Sequence, residues 1–100
     1  MISNVKELPR TFQKDIQRAV EILREEGCTE ISLFGSAVEG WRHKNLDVGL
    51  AVRGCPKDRF FHALGRLLMT LNRSVNLVDL DLQNDQTEYL LKHGELLRIG

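Results

Sequence analysis

Apolar positions recur along the chain with two distinct periods, and these divide it into alternating helices and strands. Residues 11–26, TFQKDIQRAVEILREE, space Phe12, Ile16, Val20 and Leu23 three and four apart, with charges on the remaining face. That spacing predicts an amphipathic helix, with Thr11 as N-cap behind Pro9 and Gly27 as its stop. Glu30–Phe34 alternates, is rich in strand formers and runs into Gly35, so it predicts a short strand. Leu46–Val52 predicts a second strand, closed by Arg53-Gly54-Cys55-Pro56. Between them, Ser36–Asn45 has room for one or two helical turns and a loop. Residues 57–72 predict a second helix with Phe60, Leu64, Leu67, Leu68 and Leu71 inward. Val75–Leu80 is apolar at nearly every position, as in a strand that is central or covered on both faces. Gln86–Ile99 predicts a last short helix that breaks at Gly94. The expectation is one compact α/β domain with at least three strands.

Composition narrows the functions available to such a domain. A chain of 100 residues fits a single domain, long enough to bury a core without staples. Lys+Arg and Asp+Glu both count 14, for a formal net charge of zero. That balance argues against a dedicated nucleic-acid-binding module. No apolar run approaches the roughly 20 residues of a membrane span, and MISNVKELPR is too polar for a secretory signal. Two cysteines, Cys28 and Cys55, make neither a disulfide framework nor a four-ligand zinc site. They are expected to be reduced thiols in a cytoplasmic protein.

The chemistry concentrates in three stretches: Leu33-Phe34-Gly35-Ser36, Asn45–Val52 and Val75–Leu80. A strand that ends in Gly-Ser and opens a helix is suited to phosphate. Glycine lets an anion approach the backbone, while the hydroxyl and the free N–H groups of the helix start bind its oxygens. Alone, such a pair carries no weight. Its spacing supplies the specificity, because ten residues separate Ser36 from Asp47 on the second strand.

This arrangement resembles the minimal nucleotidyltransferases (MNT) of the polymerase-β-like superfamily. Their pattern is a strand, Gly-Ser, about ten residues, Asp-x-Asp on a second strand and a third Asp on a later one. Gly35-Ser36, Gly40, Asp47 and the run Val75-Asn76-Leu77-Val78-Asp79-Leu80 carry the likeness, which spans nearly the whole chain. The resemblance implies a mixed sheet flanked by helices. It also implies Gly35 and Ser36 as nucleotide-binding residues, with ATP or another nucleoside triphosphate as ligand. In the family, residues two apart on a strand present paired carboxylates to Mg²⁺, which stabilises charge on the attacking and leaving oxygens.

The sequence departs from that pattern at its centre. Asp47 stands at the first carboxylate position and is the one metal ligand expected to remain. The second position is Gly49, without a side chain. The third is Asn76, whose amide offers a carbonyl oxygen but no general base. Mg²⁺ binding is therefore expected to be weak or absent. Asp79 and Asp81 are read as solvated strand-end charges rather than substitute ligands. Restoring carboxylates at positions 49 and 76 is expected to rebuild the metal site, and replacing the strand glycine at 49 is expected to cost little, provided no backbone or ligand packs against its alpha carbon. Arg42 and Lys44 suit either phosphate at the mouth of the cleft or a solvated loop, Trp41 is read as packing rather than stacking on a base, and the three histidines as surface or satisfied residues. Ala37 and Glu39 replace residues that are often basic in the family.

The resemblance also implies a partner. Stand-alone MNT proteins pair with small helical HEPN proteins as toxin–antitoxin couples, which makes a HEPN-like protein the expected partner, with self-association as the other possibility. Impaired or lost catalysis with a masking role is the first reading. A working transferase acting on a protein or small-molecule hydroxyl is the second, and a nucleotide-binding regulatory module the third.

Overall fold

The structure is a computed structural model that describes residues 4–35, 38 and 47–100. Of the expected short helix within 36–45 only Val38 is described, and it is helical; the rest lies outside the described residues. Four strands form one mixed sheet in the order β3-β2-β1-β4: β1 (Glu30–Phe34), β2 (Val48–Arg53), β3 (Val75–Asp79) and β4 (Leu97–Arg98). β2 is antiparallel to β1 and parallel to β3, and β4 is antiparallel to β1. Among the described residues the α-helices α1 (Arg10–Glu25), α2 (Phe60–Thr70) and α3 (Asp85–His93) flank the sheet.

Strand alternation gives the sheet two apolar faces. Ile31 and Leu33 of β1 and Val48, Leu50 and Val52 of β2 are buried with Phe12, Ile16, Ala19, Ile22 and Leu23 of α1 and with Ala63 and Leu67 of α2. On the opposite face Ala51, Val78 and Leu80 form a smaller cluster with Leu90 of α3, against which Phe34 and Leu96 pack. β2 is central and buried along nearly its whole length, which explains its unbroken apolar character.

Several elements differ from the sequence-based expectation. α1 begins at Arg10, because the Pro9 carbonyl accepts the first helical hydrogen bond, from Gln13 N–H at 2.9 Å. The Thr11 hydroxyl is drawn instead to the Arg73 guanidinium, 3.1 Å away. The same guanidinium pairs with Asp15 and lies over the Phe12 ring, tying α1 to the turn after α2. β3 is covered on both faces except at Asn76, yet it sits at an edge of the sheet and not at its centre. Leu68, expected inward, is 55% exposed. Ala63 and Leu67 define the buried side of α2, and Leu68 lies a third of a turn beyond Leu67. The tail also splits: Asn84 caps α3, Gly94 ends it, and Leu97–Arg98 pairs with Ser32 and Leu33. Two paired residues carry no period from which a strand is readable.

The cysteines overturn their expectation most directly. Cys28 and Cys55 are joined in a disulfide, with Cα atoms 4.0 Å apart. The cause is the antiparallel register of β1 and β2. Glu30 lies opposite Arg53, and continuing that register two residues outward sets position 28 against position 55. With the thiols bonded, the argument from free thiols to the cytoplasm no longer holds. Among the described residues no helix is long and apolar enough to cross a membrane.

Candidate functional site

β1 delivers the chain to the candidate site and then turns sharply. Gly35 has φ +91°, a conformation that side-chain-bearing residues seldom adopt. Its carbonyl accepts the Val38 N–H at 3.0 Å, and the Val38 side chain is buried in the main core. Ser36 lies outside the described residues, as do Glu39, Gly40, Trp41, Arg42, His43 and Lys44.

Register assembles the rest. Phe34 of β1 pairs with Gly49 of β2, which in turn pairs with Asn76 of β3. The three stand in one row across the sheet, on the face opposite α1 and α2. Asp47 is exposed and directly precedes β2, two residues before Gly49. Register thus sets Gly49 beside Asn76, and Asp47 lies just ahead of them in the chain.

The donor set at those positions does not fit a divalent cation. Asp47 contributes one carboxylate, and Asn76 is a neutral amide. The second carboxylate position is filled by another residue. A Cβ on Gly49 would lie 2.5 Å from the Phe34 carbonyl oxygen and 3.2 Å from Cδ2 of the Phe34 ring. Among the described residues no group of three or more His, Cys, Asp or Glu side chains is placed to hold a metal ion. Mg²⁺ needs several hard, charged oxygens in near-octahedral array. These residues therefore support no step through a bound metal.

Asp79 and Asp81 do not compensate. Asp79 lies three residues along β3 from Asn76, on the other face, and its Oδ1 accepts the Asp81 N–H at 2.9 Å. Asp81 in turn accepts the Gly54 N–H at 2.7 Å and approaches Arg53. Both carboxylates are engaged in closing the far end of the sheet, and so are strand-end charges with bonded partners and not merely solvated ones.

One charged cluster escaped the sequence analysis. Glu26, at the end of α1, is buried, with a side chain only 3% exposed. It meets Arg59 at 3.0 Å, His62 at 2.8 Å and Arg66 at 3.0 Å. Burial pushes its carboxyl pKa upward, but hydrogen bonds from His62 and Arg66 and the nearby Arg59 charge hold it below the ordinary value of 4.5. The signal was present: Arg59, His62 and Arg66 recur at helical spacing and form one basic edge. The cluster clamps α1 to α2 beside the disulfide, at the end of the sheet away from Gly49.

The fold as a whole has counterparts among solved structures. A toxin-antitoxin crystallised with AMP-PNP is similar at 25% identity with a TM-score of 0.60, over 83% of this chain and 69% of that one. The MntA-HepT toxin-antitoxin is similar at 21% identity with a TM-score of 0.58, over 84% and 69%. The fold class is that of the polymerase-β-like nucleotidyltransferases. These neighbours are toxin-antitoxin structures, and the likeness to them is one of fold. No known family description and no curated protein matches the sequence itself.

Proposed function

We propose that this chain is a single minimal nucleotidyltransferase-like domain that has lost or weakened metal-dependent transfer and acts by binding a protein partner. The observation that carries this reading is Phe34 over Gly49. Its carbonyl and ring fill the space that a second carboxylate would need, and Asn76 stands beside them. Asp47 is then left as a lone exposed charge just ahead of β2. Nucleotide transfer of the family's kind needs charge neutralisation at the phosphates, which one carboxylate and one amide are poorly equipped to organise.

The toxin-antitoxin neighbours support a partnered role for this chain, as antitoxin to a small helical HEPN-like protein. The neighbour crystallised with AMP-PNP supports ATP or another nucleoside triphosphate as the ligand to test, with Gly35 and Ser36 as its phosphate contacts. A cytoplasmic location belongs to the same reading, and there the disulfide would be subject to the reducing glutathione pool.

Calorimetric titration of ATP with and without Mg²⁺ tests the metal site, and label transfer from ATP to a co-purifying partner tests the chemistry. Weak, Mg²⁺-independent binding without transfer is the expected result. A micromolar affinity that requires Mg²⁺ and disappears in Asp47→Ala would establish a working transferase instead.

A further inference from the structure

The outer face of α2 is apolar and uncovered by the described chain. Phe61 is 77% exposed and Met69 89%, and Leu68 lies beside them. Helical spacing puts these three on one side of α2, opposite buried Ala63 and Leu67. Charge does not interrupt the face. His62 and Arg66 reach toward α1, where they bond Glu26 and Glu25.

Gly65 stands at the centre of this face. Its φ is not positive, and a Cβ there would meet nothing within 4 Å. Neither backbone conformation nor packing within the chain calls for glycine, which weakens a helix interior relative to alanine. A bare notch flanked by large apolar side chains suits the close approach of a second helix.

We propose that this face joins two copies of the chain, with α2 crossing α2 antiparallel at Gly65. The face is its own complement. Phe61 and Met69 lie four residues on either side of Gly65, so a two-fold axis through the notch sets each Phe61 ring against the partner's Met69. With half-buried Leu64 and the backbone at Gly65, each copy would cover on the order of 500 Å². The total sits at the lower limit for a specific interface, which makes the dimer concentration-dependent and not permanent. α2 lies on the face of the sheet opposite Gly49 and Asn76, so dimerisation leaves the candidate site open. It is therefore independent of the nucleotide and partner chemistry proposed above.

Sedimentation velocity on the full chain, from micromolar to millimolar concentration, tests it. The wild type is expected to shift from monomer to dimer, while Phe61→Lys and Met69→Glu each remain monomeric across that range. Combining the two is expected to restore the dimer in a salt-sensitive form, because each introduced ammonium faces a carboxylate across the axis. Gly65→Gln, which fills the notch, is expected to weaken dimerisation at least tenfold and decides the matter should either charged variant fail to fold by circular dichroism. A wild type that stays monomeric, single variants that dimerise normally, or a double variant that stays monomeric would each overturn the proposal. So would a monomer whose α2 face is protected from hydrogen exchange only by a different protein.

Discussion

At position 49 the smallest side chain marks the largest departure from the nucleotidyltransferase pattern, and the structure makes it hard to reverse. The Phe34 carbonyl sits where a Cβ would go, so Gly49→Asp must displace backbone and not merely fill a gap. Overpacking of this kind costs about 1–3 kcal/mol, and urea unfolding of Gly49→Asp is expected to show a loss in that range. Exposed Asn76 has no such neighbour, and Asn76→Asp should stay within about 0.5 kcal/mol of wild type. The low cost expected from sequence at position 49 depends on no backbone packing against its alpha carbon, and the Phe34 carbonyl breaks that condition. The row of 49 and 76 was readable because strands repeat every two residues. The occupant of the second carboxylate position was not, since cross-strand contact with Phe34 depends on a register that no local pattern reveals. Glu26 offers a second test at this scale. Its pKa is depressed in the folded state, so its contribution is present above about pH 4.5 and is lost as pH falls through the lower folded value. Acid unfolding curves of wild type and Glu26→Gln are expected to converge as Glu26 protonates, with the variant less stable near neutrality.

Among the elements, β1 and α1 were readable to within a residue, because five alternating or sixteen periodic positions carry a strong signal, while α2 starts three residues later and ends two earlier than the expected 57–72. β4 was not, and its pairing is set entirely by β1. The inward face of α2 was misjudged at Leu68 for a related reason. A helix that is apolar over most of its circumference does not disclose from sequence which arc the sheet will cover, and here exposed Phe61 and Met69 lie on the uncovered arc. The disulfide is likewise a product of pairing: neither cysteine has a local signature, and their meeting follows from β1 and β2 running antiparallel. Closing the loop from Cys28 to Cys55 is expected to stabilise the fold by about 3 kcal/mol through the unfolded chain. Denaturant unfolding of Cys28→Ala/Cys55→Ala, or of wild type in excess dithiol, should show a loss of that size.

At the scale of the whole molecule, one sheet separates two kinds of surface. The face toward α1 and α2 holds the main core and, beyond it, the apolar exterior of α2. The other face holds the small cluster under α3 and, at its open end, Gly49 and Asn76, with Asp47 just ahead of them in the chain. Fold class was readable because the order of elements and the Gly-Ser to Asp spacing constrain topology together. The edge position of β3 was not, because apolar cover on both faces is shared by central strands and by edge strands roofed on each side. The disulfide adds a covalent topology to this plan. Residues 28–55 form a closed ring that contains β1, β2 and everything between them, including Gly35, Ser36 and Asp47. A protease that cuts one bond within that ring opens it without dividing the polypeptide. The N-terminal piece with α1 and the C-terminal piece with α2 and α3 stay tethered through sulfur, and only a reductant sets them apart.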